Sequence, residues 1–156
     1  MNSVSKTMLS FTMILTIFLA LKFKGGDSAF FFSKVTITII NKLNEMQLGF
    51  HCKDKHHDLG VQYLLVGANY SFKILPDEFM KSTLYFCNFG WITGQHRFDI
   101  YIQDRDEATC DEVCSWEILE TGPCKIKSTS RECFKWDDVP LGDNEFGQKI
   151  NTTFGL

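Results

Sequence analysis

No apolar run in this chain is long enough to cross a bilayer, no stretch beyond the amino-terminal segment keeps a helical period, and the short catalytic signatures are missing. Each absence narrows the field. A spanning helix needs about 20 apolar residues to cover roughly 30 Å of hydrocarbon. The uncharged run at residues 8–21 is shorter and is followed at once by Lys22 and Lys24. Without a G-x-S-x-G elbow, an H-E-x-x-H helix, a P-loop or a G-x-G-x-x-G turn, the commonest hydrolase, metalloprotease and nucleotide-binding readings have no local support. There is also no internal repeat and no low-complexity tract.

What is present at the start has the form of a secretory signal: Lys6, the apolar run, then the small residues Gly25, Gly26, Ser28 and Ala29. Cleavage after Ser28 puts Gly26 at the minus-three position, whereas cleavage after Ala29 would put Asp27 there, so residues 1–28 are read as the signal. Its removal takes three of the 16 basic and one of the 19 acidic residues, leaving 13 and 18 and a net charge of −5. Nucleic acid, whose phosphates demand clustered Lys and Arg, is excluded as a partner by that balance. A basic protein surface suits it better, and stable membrane insertion is not expected.

All six cysteines, Cys52, Cys87, Cys110, Cys114, Cys124 and Cys133, lie beyond residue 28. An even count in an oxidising compartment means three disulfides, each stabilising a fold by typically about 2–4 kcal/mol, with about 15 possible pairings. A zinc site would need paired C-x2-C spacing, and only C-x3-C occurs, at Cys110 and Cys114. Two N-x-S/T acceptors, Asn69-Tyr70-Ser71 and Asn151-Thr152-Thr153, are expected at the surface. Asn69 stands close to a following strand, so Asn151, in the tail, is the better acceptor.

Period-two alternation recurs through the exported part. Val35, Ile37 and Ile39 oppose Thr36 and Thr38 within residues 34–41, and Leu48, Phe50 and Cys52 repeat the pattern within 47–52. Further strands are predicted at 61–66, 70–74, 82–91, 97–103 and 115–119, separated by Gly, Pro and Asp turn signals at roughly ten-residue spacing. This predicts an all-β fold, a small disulfide-stabilised antiparallel β-sandwich over residues 30–137 with a tail at 138–156. The aromatics Tyr85, Phe89, Trp91 and Trp116 alternate as a sandwich interior requires.

Candidate chemistry is weak. His51, His56, His57 and His96 are metal-ligand types, but adjacent His56 and His57 on an extended chain point to opposite faces. Asp104, Asp106, Glu107, Asp111 and Glu112 crowd one segment, where carboxylates cap turns, pair with Arg105 or solvate the surface. Glycosidase work needs two carboxyls held about 5 or about 6.5–9.5 Å apart across a substrate. No catalytic residue, metal or cofactor is assigned.

Taken in order, Val35-Thr36-Ile37, Asn41-Lys42-Leu43, His51-Cys52-Lys53 ending in Asp58-Leu59-Gly60, Phe86-Cys87-Asn88-Phe89-Gly90-Trp91, Phe98-Asp99-Ile100-Tyr101, Arg105-Asp106, Cys110 and Cys114-Ser115-Trp116 resemble the plant self-incompatibility S1 family. The resemblance implies a secreted β-sandwich without known catalytic activity, used as an extracellular recognition ligand; the founding members act in the poppy pistil and are sensed by pollen. The family's four cysteines correspond to Cys52, Cys87, Cys110 and Cys114, which are expected to pair among themselves, with Cys52–Cys114 and Cys87–Cys110 preferred. Cys124 and Cys133 are additional and suggest a third, local bridge. Where the family block before Leu-Gly is usually acidic, His56 and His57 stand here, which would make local charge sensitive to pH near neutrality.

The implied partner is a cell-surface receptor protein, engaged by a monomer in the apoplast through loops on a rigid scaffold. Those loops are residues 54–58, with Asp54, Lys55, His56 and His57; 75–81, with Asp77 and Glu78; 93–96, with Gln95 and His96; and 104–112, with Asp104, Arg105 and Glu107. The alternative is a secreted defence or effector-like protein that inhibits or damages a foreign target. Protein collected from the medium of expressing plant cells should begin at Ala29 and carry three intramolecular bridges by non-reducing peptide mass spectrometry. A retained amino terminus or free thiols would overturn export.

Overall fold

Alternation of β-branched side chains makes the first strand. In β1 (Val35–Asn41), Val35, Ile37 and Ile39 point into the core at 5%, 0% and 0% exposure, while Thr36, Thr38 and Ile40 face outward. The same logic builds β2 (Leu48–Lys53), β3 (Asp58–Leu64), β4 (Asn69–Ile74), β5 (Leu84–Trp91), β6 (Gly94–Ile102), β7 (Val113–Leu119), β8 (Gly122–Ile126) and β9 (Arg131–Cys133). These residues come from a computed structural model that describes residues 12–17, 33–110 and 112–137. The predicted signal segment other than 12–17, Asp111, and the predicted tail at 138–156 with Asn151 lie outside the described residues. The chain divides into Met1–Phe31 and Phe32–Leu156. In the first unit residues 12–17 are helical (α1), and no described helix is long and apolar enough to cross a membrane. The second unit holds the sandwich and one helical turn, α2 (Gln103–Asp106).

One sheet has the order β4-β1-β7-β8-β9 and the other β3-β2-β5-β6. Neighbours are antiparallel except β1 and β7, which run parallel with Ile39 opposite Trp116. A parallel neighbour needs a long crossover, and here the whole four-stranded sheet lies in the sequence between the two strands. Phe50, Phe89, Phe98 and Ile100 from that sheet meet Ile37, Ile39, Trp116 and Ile118 from the other, all at 2% exposure or less. The Phe98 and Trp116 rings pack edge-to-face with centroids 5.2 Å apart. Burial of each such side chain is worth about 1.5–3 kcal/mol.

Five of the seven predicted strands are found at nearly their expected bounds, while β6 begins before the predicted residue 97, at Gly94. β3 begins earlier, at Asp58, because Gly60 adopts φ +65° and lets the chain join β2 before the apolar run starts. β8 and β9 escaped the pattern, being short and, in β8, buried at four consecutive residues. They depend on Gly122, whose φ is +142° and where a Cβ would land on the Phe134 carbonyl.

The disulfides correct one expectation. Cys124–Cys133 is the local bridge foreseen, but the others are Cys52–Cys87 and Cys110–Cys114, not Cys52–Cys114 and Cys87–Cys110. The register explains it: Cys52 and Cys87 face each other across the β2–β5 pair, and Cys110 and Cys114 flank the turn into β7. Bridges therefore stay within a sheet or a turn.

Between the sheets sits a buried ion cluster. Asp106, 0% exposed, accepts from Arg105 Nε and Nη2 at 2.9 and 2.7 Å, from Lys125 Nζ at 2.8 Å and from the Ile102 amide at 2.9 Å. Burial alone would raise its pKa, yet the bonds from Arg105, Lys125 and Ile102 outweigh that and hold it below the ordinary value of 3.8. Lys125 is itself 2% exposed and also donates to Thr109 Oγ1 at 3.0 Å. Because the folded-state pKa is depressed, this contribution is present above about pH 4 and is lost as pH falls through the depressed value. Asp106→Ala strands the buried Lys125 ammonium and leaves the half-buried Arg105 without its carboxylate, and should lower unfolding free energy by about 3–5 kcal/mol in urea melts at neutral pH. A loss below about 1 kcal/mol, the range of exposed pairs, would contradict the burial described.

Candidate functional site

The strand directions gather three of the four predicted loops at one end of the sandwich. β5 starts there at Leu84, β2 finishes there at Lys53, and β6 finishes there at Ile102, opposite Leu84. Residues 54–57, 75–83 and the α2 segment consequently meet. Gln95 and His96 do not join them: expected in a loop, they lie inside β6, where His96 pairs in register with Phe89 and Gln95 with Gly90. His96 stacks on Trp136 at 4.9 Å and lies 5.2 Å from Trp91, and its burial lowers its pKa.

The 54–57 loop is closed around one carboxylate. Asp54 Oδ1 accepts the amides of His56 and His57 at 2.8 and 2.5 Å, and the His57 ring lies 3.2 Å from both Asp54 oxygens. Tyr85, rising from the core, brings its hydroxyl to 3.3 Å from His57 Nδ1. Burial would raise the Asp54 pKa, but the bonds from His56, His57 and Tyr85 prevail and lower it to about 2. The same carboxylate, after burial, pushes the Tyr85 phenol up. His56 and Lys55 remain exposed. His51 is partly exposed on β2 and bonds Asp58.

The 75–83 loop is braced from within and from α2. Asp77 Oδ1 accepts the amides of Phe79 and Met80 at 2.9 and 3.0 Å, and the Asp77 amide donates to Thr83 Oγ1 at 2.8 Å. Gln103, 1% exposed, donates its side-chain amide to the Asp77 carbonyl and accepts the Thr83 amide, while its backbone amide donates to the Thr83 carbonyl. Lys81 Nζ reaches Glu107 at 3.0 Å. On this pinned loop Phe79 and Met80 are 81% and 77% exposed, with Leu75 and Leu84 at 52% and 41%. Large apolar side chains held in water by an ordered backbone make this loop a candidate contact surface.

A groove of about 660 Å³ separates the two loops, lined by Asp54, Lys55, His56 and His57 on one side, Leu75, Asp77, Met80, Ser82, Thr83 and Leu84 on the other, and Phe86. The Arg97 guanidinium sits 4.0 Å over the Phe86 ring. A smaller recess of about 230 Å³ shares Asp54, His57 and Leu75.

Of the predicted contact residues, Asp54, Lys55, His56, His57 and Asp77 line the groove, and Glu78, Asp104 and Glu107 are exposed. Arg105, expected in a loop, is in α2 and turned inward onto Asp106 and the Asp99 carbonyl. Phe79, Met80, Leu84 and Phe86 were not singled out. Their signal is Phe79-Met80 standing between Glu78 and Lys81 in a turn, where nothing in strand periodicity asks for apolar side chains. Among the described residues the grouping that could ligate a metal is Asp106 with Cys110 and Cys114, whose sulfurs form a disulfide and whose carboxylate is already neutralised. Asn69 is exposed at the start of β4.

Asp54→Ala removes the acceptor that shapes the 54–57 loop, so the His56 and His57 amides should exchange with deuterium at least about tenfold faster, the equivalent of about 1.4 kcal/mol. In the wild type, the depressed Asp54 pKa makes this protection complete above about pH 4 and lost as pH falls towards 2. Unchanged exchange in the variant would mean that the loop is held by something else.

Comparison with known proteins agrees with this architecture. The family profile of plant self-incompatibility protein S1 matches residues 36–136. S-protein homolog 5 of Arabidopsis thaliana is 39% identical over 106 residues, covering 68% of this chain and 80% of that protein. S-protein homolog 19 of the same plant is 41% identical over 106 residues, covering 67% and 77%. A solved self-incompatibility protein homologue, described as one of a widespread family of small, highly stable, secreted proteins from plants, aligns with TM-score 0.54 and 20% identity over 70% of this chain and 100% of its own; it shows the shared fold. Such proteins are small secreted proteins and not enzymes. With the profile spanning both sheets, both groove walls and the braced Phe79 loop, this chain belongs to the plant self-incompatibility protein S1 family.

Proposed function

We propose that this chain is a recognition ligand, exported to the apoplast after loss of residues 1–28, that binds a cell-surface receptor protein as a monomer. The contact is the end of the sandwich bearing the groove and the 75–83 loop. The observation that carries the reading is Phe79 and Met80, 81% and 77% exposed on a loop whose backbone is hydrogen-bonded at Asp77, Phe79, Met80, Lys81 and Thr83. A rigid apolar anchor loses little freedom on docking, which favours affinity. Acidic Asp77, Glu78, Asp104 and Glu107 are exposed near this anchor, a rim suited to a partner pocket edged by Lys or Arg. Membership of a family of secreted proteins supports export, and the absence of any catalytic motif leaves binding as the route of action.

The test uses fluorescent full-length mature chain, purified from medium, on plant protoplasts. Saturable binding should weaken at least about tenfold in the double variant Phe79→Ser, Met80→Ser, with the melting temperature unchanged. Ile92→Ser, which removes a 57% exposed apolar side chain at the opposite end, should leave binding intact. Equal loss in both variants, or none in the first, would discard the proposed face. Absence of saturable binding together with inhibition of microbial growth would replace the ligand reading with a secreted defence protein.

A further inference from the structure

The end of the sandwich away from Phe79 carries a second exposed apolar feature. The turn at residues 65–68 joins β3 to β4, and in it Leu65 and Val66 are 69% and 53% exposed. β3 and β4 are each the outermost strand of their sheet, so their free edges flank the same turn. Open edges beside apolar side chains are templates for pairing with another chain. Native proteins blunt such edges by covering or charging them.

Asn69 stands at this corner. It is the first residue of β4 and begins the acceptor sequence Asn69-Tyr70-Ser71. Its side chain belongs to the exposed set Asn69, Ser71 and Lys73, whereas Phe72 and Ile74 point into the core. The neighbouring strand therefore does not hide it. Ser71 Oγ shares a hydrogen bond of 2.9 Å with Thr38 Oγ1 on the same outer face.

We propose that Asn69 carries an N-linked oligosaccharide that covers the Leu65–Val66 turn and the adjoining edges of β3 and β4. The inference rests on export through the secretory lumen. There the donor is an oligosaccharide on a polyprenyl pyrophosphate. A bond forms between Asn69 Nδ2 and the sugar C1, the bond from C1 to the pyrophosphate oxygen breaks, the pyrophosphate leaves with the electron pair, and an amide proton passes to base. The hydroxyl of Ser71, two residues on, meets the acceptor rule. A hydrated glycan at this corner blocks approach of a second strand and leaves the groove end free, so the molecule has one shielded end and one adhesive end.

The experiment is glycopeptide mass mapping of the wild type, Asn69→Gln and Ser71→Ala, each collected from the medium of plant cells, with bis-ANS fluorescence and sedimentation of the intact proteins. The expected result is oligosaccharide on the Asn69 peptide of the wild type, its loss in both variants, and at least about a twofold rise in dye fluorescence with faster-sedimenting material in both. Adding Leu65→Ser and Val66→Ser to Asn69→Gln should restore the wild-type values. An unmodified Asn69 in secreted protein overturns the glycan while export stands. Protein that never reaches the medium overturns export and the glycan with it. A modified Asn69 whose loss changes neither dye binding nor sedimentation overturns the shielding role.

Discussion

A buried carboxylate, Asp106, connects the two sheets of this sandwich and, through them, the loop that faces outward. It closes α2 on Ile102, takes two bonds from Arg105, and reaches across to Lys125 on β8. Around it, the Arg105 guanidinium lies 5.2 Å from the rings of Phe98, Trp116 and Phe134, and Lys125 Nζ lies 5.7 Å from the last two. Neutralisation by two cations and an aromatic surround offsets the several kcal/mol that each buried charge costs. With α2 fixed, Gln103 is fixed, and Gln103 bonds the backbone of Asp77 and Thr83. The exposed Phe79 is thus linked through Asp77 and Gln103 to the helical turn that the buried Asp106 closes.

This ionic link matters more because no disulfide crosses between the sheets. Cys52–Cys87 ties β2 to β5 in one sheet, Cys124–Cys133 ties β8 to β9 in the other, and Cys110–Cys114 closes a turn. Inter-sheet cohesion falls to the apolar core, to Asp106–Lys125, and to the segment after β9. There the Phe134 amide bonds the Pro123 carbonyl, Trp136 Nε1 bonds the Glu120 carbonyl, and the Asp137 amide bonds the Arg97 carbonyl on β6. Asp137 also accepts the Asp99 amide; burial and the facing Asp99 carboxylate raise its pKa. The bridges shorten the loops of the unfolded chain, while the polar and aromatic links decide how the sheets sit on one another.

Much of this was legible in one dimension because period-two alternation is a direct consequence of a strand with one buried face. β1, β2, β4, β5, β6 and β7 all announce themselves that way. β8 was not legible, since both of its faces are covered, and β9 is three residues long. Pairing of Cys52 with Cys87 needs the β2–β5 register, which no spacing contains. The pairing of Arg105 with a neighbouring carboxylate was foreseen, but its burial depends on Lys125, nineteen residues on and in the opposite sheet. For the site, the loops 54–58 and 75–81 were visible as polar interruptions; that they share a groove follows only from the directions of β2 and β5. The 93–96 segment was expected to be a contact loop, yet the hairpin there is tight and β6 begins at Gly94.

The bracing of the 75–83 loop has a consequence for how recognition can vary. Its fixed points are the Asp77 carboxylate and carbonyl, the backbone and hydroxyl of Thr83, and the buried amide of Gln103. The side chains of Glu78, Phe79 and Met80 take no part in that network; only their backbone does, at Phe79 and Met80. Substitution at these positions changes what is presented without changing how rigidly it is held. The 54–57 loop is built alike, with Asp54 bonding the amides of His56 and His57 while the exposed Lys55 and His56 side chains are free to differ. A fold that separates the groups fixing a loop from the groups displayed on it allows many different surfaces to be presented on one scaffold, all with the same core.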